Sequence, residues 1–305
     1  MKASFVIVNY NRKSELLMTL SKTVELIANN ATEYEIVVVD NASTDGSADA
    51  VKVQFPTVVL IENPVNTGAP AWNLGFARAK GDYFIILDDD SHIEEGLEDA
   101  IEYLEKNREV GILALNVVSG PYTSDRWGWK DGQDIAGFIG CGAIFRKETY
   151  RKIGGYADWM FLYVNEWELS LRCINAGYIV RFFGNSRVVH RVSNIHRTSK
   201  RLRVFVTKHE LGVVYKYFSV NRSGYLWRVA INNLKIIKHG EFKNAWYNVL
   251  GMFQFLQMRK SLQYTPVSPE AQKMFADGFE ITRKSAFGFI GEKVTNFFKK
   301  TAATP

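Results

Sequence analysis

The chain is poor in cysteine: Cys141 and Cys173 are the only two in 305 residues, and no CxxC pair occurs. That argues against a disulfide framework or a zinc site and fits a reducing, cytosolic setting. Long apolar runs are missing too. No stretch of about 18 apolar residues is present, so no transmembrane helix is expected. The N-terminal run Ala3 to Val8 is too short for the hydrophobic part of a signal peptide. Two nucleotide-binding signatures are absent as well. Without GxGxxG after the first apolar run a dinucleotide-dependent dehydrogenase is set aside, and without GxxxxGK[ST] so is a P-loop enzyme.

What is present is a chain with 47% hydrophobic residues, long enough for one large α/β domain plus an extension. Its net charge of +6 is unevenly placed. Between Lys200 and Lys260 twelve Lys and Arg face two acids, Glu210 and Glu241, an excess of +10 that leaves the remainder at −4. Basic character belongs to the C-terminal third, and charge of this kind bears on partners rather than on fold.

Short β-branched runs alternate with helical spacing along the first half. Ser4 to Val8, Glu35 to Val39, Thr57 to Ile61, Tyr83 to Leu87 and Val110 to Leu115 read as strands. Ser14 to Ala28, a short segment after AsnAlaSerThrAspGlySer (41–47), Gly68 to Ala79 and Glu94 to Asn107 read as helices. Phe138 to Phe145 and Tyr178 to Val189 predict further strands, and Ser119 to Gly132 a long loop of the kind that often forms a lid. From about Ser199 the pattern is helical, broken at the two prolines of Thr265 to Pro269, and the terminal ThrAlaAlaThrPro reads as frayed. The alternation implies an α/β fold with a doubly wound, mostly parallel sheet and a mainly helical C-terminal extension. Residues 1–198 form the expected catalytic domain, with halves at about 1–117 and 118–198, and 199–305 the extension. Ligands of such sheets bind beyond the carboxyl ends of the strands, where Asn9, Asp40 and Asp88 fall.

Three carboxylates, Asp88 to Asp90, end a buried strand. Their repulsion needs an offset, which a hard divalent cation or simple solvation would supply. Alternation along a strand would send Asp88 and Asp90 one way and Asp89 the other. His190 ends a later strand, where it suits Mn²⁺ beside carboxylates or serves structure alone. Glu166 opens a helix that stops near Gly177. There it is placed to accept an acceptor-hydroxyl proton or simply to cap the first turn. Glu168 is its decoy, aimed differently by helical geometry. Asp40 is suited to a nucleobase or ribose, or to an Asx-turn with residues 42–43.

Together, SFVIVNYNR, EIVVVDNASTDGS and NTGAPAWNLGFARAKGDYFIILDDD resemble the donor-binding half of glycosyltransferase family 2. GCGAIFRKETYRKIGGY, FLYVNEWELSLRCINAGY and VVH resemble its acceptor half, especially in rhamnosyl- and galactofuranosyltransferase-like members. The resemblance covers roughly residues 3–195 in order. It implies a glycosyltransferase-A fold, a nucleoside-diphosphate sugar donor, a Mn²⁺ or Mg²⁺ cofactor, and inverting displacement at the anomeric carbon. By the same resemblance Tyr10 stacks near the nucleobase and Asp40 binds it, Asp88 contacts ribose or metal, Asp90 the metal, and His190 completes the metal or diphosphate site. Asn11, Arg12, Asn66, Asn73 and Asp89 join the donor set. Registered on LeuSerLeuArg, the family's usual Glu-Asp pair falls on Asn165 and Glu166. The implied base is thus Glu166, a longer arm that moves the carboxylate by about one bond.

A processive synthase of the same superfamily would add membrane helices and a GlnXXArgTrp motif, and neither occurs. A sugar-phosphate nucleotidyltransferase would carry a Gly-rich loop with Arg and Lys where AsnTyrAsnArgLys stands, and a catalytically inactive nucleotide-sugar binder is the other alternative. The expected partners are the donor, a glycan or lipid-linked acceptor in cell-surface glycan assembly, and, through the basic third, the anionic inner face of a membrane. No recognition motif points to nucleic acid.

Overall fold

The computed structural model describes residues 1–119, 128–191 and 198–278. Strands β1 (Ala3–Asn9), β2 (Tyr34–Asn41), β3 (Val59–Asn63) and β4 (Tyr83–Asp88) run parallel in the order β3-β2-β1-β4. Their register sets Asn9 opposite Asp40 and Val8 opposite Asp88, so the polar strand ends share one edge. Beyond β4 comes β7 (Ala143–Arg146), antiparallel to both β4 and β6 (Val110–Val118). Next is β8 (Ile179–His190), parallel to β6, and at the far edge β5 (Ser91–Glu95), antiparallel to β8. The eight-stranded sheet is mixed and mostly parallel.

Helices cover both faces, and β1 shows how the sequence dictates this. Phe5 and Ile7 point to one side, packing with Leu16 and Leu20 of α1 (Lys13–Ile27) and Ile101 of α4 (Leu97–Lys106). Val6 points to the other, toward Phe76 of α3 (Ala71–Arg78) and Leu169 of α6 (Asn165–Asn175). With both faces buried, a strand reads as an unbroken apolar run. Each such side chain, fully buried, contributes about 1.5–3 kcal/mol. Two shorter helices, α2 (Ser47–Gln54) and α5 (Lys147–Ile153), complete the layers.

Two expectations change here. The helix expected from Glu94 starts only at Leu97, because Ser91–Glu95 pairs with β8 as an edge strand. The strand expected from Phe138 starts only at Ala143, because the chain before it leaves the sheet and Gly140 lines a cleft. Most of the expected loop from Ser119 to Gly132, and the terminal ThrAlaAlaThrPro, lie outside the described residues.

The extension contains α7 (Ser199–Tyr217), α8 (Arg222–Leu234) and α9 (Phe242–Met258), with helix resuming over 269–278 after the proline-containing break. Thr198 Oγ1 accepts from the Arg201 backbone N–H and starts α7. Leu211, Val214 and Phe218 share one core with Met160, Val164 and Leu171, so the extension packs directly on α6 and the segment before it. Among the described residues no helix is long and apolar enough to cross a membrane.

Candidate active site

A cleft of about 470 Å³ opens at the carboxyl edge of the sheet. Tyr10 and Arg12 after β1, Asn41 at the end of β2, the 66–69 loop, and Asp88 and Asp89 after β4 contribute to its lining. So do Gly140, Tyr156, residues 161–167, and Arg201, Val206 and Glu210 of α7. The 66–69 loop docks tightly: Ala69 N donates to the Phe161 carbonyl at 2.7 Å. A Cβ at Gly68, whose φ is +70°, would lie 1.9 Å from that carbonyl oxygen.

The acidic triplet is not the simple strand end expected. β4 stops at Asp88, and Asp89 and Asp90 form a turn closed by Asp88 N donating to Ser91 Oγ at 2.9 Å. Strand alternation therefore does not extend past Asp88. Asp88 and Asp89 line the cleft, whereas Asp90 is fully buried. Arg12 bridges the turn, with Nη1 3.0 Å from Asp89 Oδ1 and 3.1 Å from Asp90 Oδ2. Burial lowers the Arg12 pKa, but Asp89 and Asp90 outweigh it and hold the guanidinium above its ordinary value. Burial pushes the Asp89 carboxyl up to about 7, against the pull of Arg12 and with help from Asp90 and Asp88. A protein cation thus offsets part of the repulsion that the sequence assigned to a metal or to solvent.

His190 lies 3.1 Å from Asp90 Oδ1 through Nε2, and 3.3 Å from Ser119 Oγ through Nδ1. The potential ligand atoms of Asp88, His190 and Cys141 all fall within 4.8 Å of one another. The expected trio was Asp88, Asp90 and His190; Cys141 stands in this cluster instead, because Asp90 is turned inward onto Arg12 and His190. The donor set fits a divalent cation through its carboxylate and imidazole. The Cys141 thiol is pushed well up by burial, with Asp88, Asp90 and Glu166 adding to it, and a protonated thiol is a poor ligand for Mg²⁺ or Mn²⁺.

Glu166 is the second residue of α6. The two residues before that helix, Tyr163 and Val164, have φ of 66° and 68°, a left-handed conformation unusual for any side chain and most of all for a β-branched one. Asn165 Nδ2 donates to the Met160 carbonyl at 2.9 Å and fixes the turn. Burial raises the Glu166 carboxyl from 4.5 to about 7, opposed by its own backbone N–H and helped by the Asp88 charge. Gly140 makes room for it: a Cβ there would lie 2.3 Å from Glu166 Oε1. Glu168 faces away and is fully buried, with Oε1 and Oε2 each 2.8 Å from the Arg172 guanidinium and a hydrogen bond from Tyr217 Oη. The helix thus carries one carboxylate to the cleft and commits the other to packing.

Residues 4–167 match the family model described as Glycosyl transferase family 2. The chain belongs to that family. It is 32% identical over 174 residues to an uncharacterized glycosyltransferase, alr2836, of Nostoc sp. strain PCC 7120, covering 50% of this chain and 53% of that protein. It is 36% identical over 101 residues to a poly(ribitol-phosphate) beta-glucosyltransferase of Bacillus spizizenii, covering 30% of this chain and 15% of that protein. The chain therefore spans only about half, or less, of the length of these curated relatives. The mannosyltransferase PcManGT from Pyrobaculum calidifontis, solved in complex with GDP-Man and Mn²⁺, superposes with a TM-score of 0.58 at 19% identity, covering 98% of this chain and 88% of that one. That likeness is one of fold, and it bears out the glycosyltransferase-A type of mostly parallel α/β sheet with a helical C-terminal region.

Of the donor residues expected in this family 2 chain, Tyr10, Arg12, Asn66, Asp88 and Asp89 line the cleft. Three others do not, and each is held by the protein. Asp40 accepts from Asn9 Nδ2 at 2.9 Å and from Ser43 N at 3.0 Å, which is the Asx-turn alternative. Asn11, at φ 53°, accepts from Thr44 N at 2.7 Å. Asn73 exchanges two 2.8 Å hydrogen bonds with the backbone of Tyr156 and ties α3 to the opposite wall. The sequence alone does not single out Trp72, Tyr156, Phe161 and Trp167, since aromatic rings serve a core as readily as a cleft, nor Arg201, one of twelve cations in the basic segment. The one local signal for Cys141 and Gly140 is GlyCysGly (140–142), too small a motif to announce contacts with Asp88 and Glu166.

Proposed function

We propose that this chain is a metal-dependent, inverting, non-processive glycosyltransferase. It moves a hexosyl or deoxyhexosyl group from a nucleoside-diphosphate donor to a hydroxyl of a glycan or lipid-linked acceptor in cell-surface glycan assembly. One observation carries the reading: a single cleft holds both the acidic turn bridged by Arg12 and the Glu166 carboxylate, kept near 7 at the start of α6. Family membership supports the reaction class, and the GDP-Man and Mn²⁺ of the PcManGT complex support the donor class and the cation.

A Mn²⁺ or Mg²⁺ ion held by Asp88 and His190 would neutralise charge growing on the leaving diphosphate. Asp90, with Oδ1 3.1 Å from His190 Nε2 and Oδ2 paired with Arg12, helps to position that imidazole. Tyr10 offers a ring to the nucleobase, while Asp40 and Asn11 hold the 41–45 loop in shape. Glu166, ionised above about 7, takes the acceptor proton as the hydroxyl oxygen bonds to the anomeric carbon and the carbon–phosphate oxygen bond breaks on the opposite face. Trp72, Tyr156 and Trp167 narrow the cleft and exclude water that would compete as acceptor.

A thermal-shift screen of nucleoside-diphosphate sugars with and without Mn²⁺, followed by turnover of the stabilising donor, tests this. Transfer or slow donor hydrolysis that needs the metal and Glu166 supports it. Donor binding with no turnover would favour the inactive nucleotide-sugar binder.

A further inference from the structure

The extension leaves an apolar stripe uncovered. Along α9 the exposed apolar residues are Phe242, Trp246, Val249, Phe253 and Leu256, spaced alternately by four and three, while Ala245, Asn248, Gly251 and Phe255 are buried. That spacing puts the five on one side of the helix. α8 is tied to α9 where Asn248 Nδ2 donates to the Asn233 carbonyl, and it exposes Trp227 and Ile231. The exposures are large: 72% for Trp227, 70% for Phe242, 59% for Trp246 and 58% for Phe253. Single exposed leucines are ordinary, but four big aromatics on one helical hairpin mark an interaction surface.

Charge selects the partner. Lys235, Lys238, Lys243, Arg259 and Lys260 are exposed on and around the same hairpin. The only acid between residues 222 and 260 is Glu241, which accepts from Asn244 Nδ2. A second copy would bring like charge against like. So would residues 279–300, which carry five Lys and Arg against two Glu. The partner must be anionic and must also take up a long apolar stripe. Polynucleotides satisfy the first demand and not the second, whereas an anionic lipid surface satisfies both, with aromatic rings at the headgroup boundary and lysines beside the phosphates. We infer that the outward face of the α8–α9 hairpin docks this chain on an anionic bilayer surface. α9 packs along α7, which carries the cleft residue Arg201, so docking would hold the cleft at a set distance from the lipid.

The test uses the whole chain, without sugar donor, and vesicles of phosphatidylcholine alone or mixed with phosphatidylglycerol. This keeps the result separable from the transfer reading, since docking can fail while turnover persists and the reverse. Wild type should sediment with anionic vesicles only, more weakly at high salt, with a blue-shifted tryptophan emission on binding. Lys235→Gln, Lys238→Gln and Lys243→Gln should each weaken binding about fivefold, and together about a hundredfold. Trp246→Glu with Phe253→Glu should abolish it at every salt concentration. These side chains are exposed, so unchanged circular dichroism and Tm should accompany the loss. Three results would overturn the inference. They are equal, negligible binding to both vesicles at low salt, variants that bind as wild type does, and a dimer or RNA complex that Trp246→Glu with Phe253→Glu disperses while vesicles bind nothing.

Discussion

Replacing Glu166 by Gln removes one negative charge and keeps the shape, so two consequences can be separated. The carboxyl titrates at about 7 in the folded protein, up from 4.5, chiefly because burial disfavours its ionised form. Folding therefore favours the protonated acid. Stability from this group is fully present below about 4.5 and is lost as pH rises through about 7. A rise of that size corresponds to ~3 kcal/mol. The carboxyl faces an open cleft, so solvent screening reduces this to ~2 kcal/mol. Glutamine, always neutral, escapes the loss. The variant should match wild type in Tm near pH 4 and exceed it by roughly 3 °C at pH 8. Wild-type turnover should climb through about pH 7 and level off, while the variant loses transfer by about 10²–10⁴-fold and still binds donor. Differential scanning calorimetry without metal, and initial rates across pH 5–9, read the two arms. A Tm difference that does not change with pH would refute the burial argument. Turnover near the wild-type rate would refute the role as base, and if Glu168→Gln were the crippling change instead, the wrong carboxylate has been chosen.

The other predictions follow from neighbouring contacts. EDTA should abolish turnover and Mn²⁺ restore it, and undiminished activity in EDTA would sink the metal reading. Asp88→Ala should lose Mn²⁺-dependent donor binding with little change in Tm, whereas Asp90→Ala should lose turnover and also lower Tm, because it removes one of the two buried carboxylates that face Arg12 and the one beside His190. Gly140→Ala should displace the Glu166 carboxylate and cut kcat roughly 10–10²-fold with donor affinity intact; adding Glu166→Asp, a shorter arm, should recover part of it, and no loss in steady-state kinetics would contradict the contact. Glu168→Ala should cost about 3–5 kcal/mol in urea unfolding, since it deprives a buried guanidinium of its bidentate partner, and should lower turnover per folded molecule far less than Glu166→Gln does.

The legible parts of the fold were those where local pattern and tertiary role coincide. β1, β2 and β4 are central strands buried on both faces, so their apolar runs announce them, and the polar residues that end them mark the ligand edge. β5 was hidden because SerHisIleGluGlu (91–95) has no apolar run of its own; it is a strand only through pairing with β8, almost a hundred residues later. The same limit applied to the site. Glu166 could be picked by register, but the space it needs comes from Gly140, and Cys141 reaches Asp88 and His190 only once three strands are in place. Asp40, Asn11 and Asn73 have the chemistry of donor ligands. What separates such a residue from one that braces the cleft is where its hydrogen bonds go, and in this chain they go to Ser43, Thr44 and Tyr156.

The family match ends at residue 167, one position after Glu166. What holds that carboxylate's helix in place lies almost wholly beyond that point: Glu168 clasped by Arg172 and Tyr217, and Leu171 packed in one core with Leu211 and Val214 of α7. Recombination at the family boundary would therefore transplant the strand-end face intact and part the proposed base from the contacts that hold its helix. A chimera joined after β8 would instead keep α6 but lose Arg201, Val206 and Glu210 from the cleft. For anyone wishing to exchange this wall of the cleft between members of the family, the smallest interchangeable unit is α6 together with α7, not the domain that the sheet outlines.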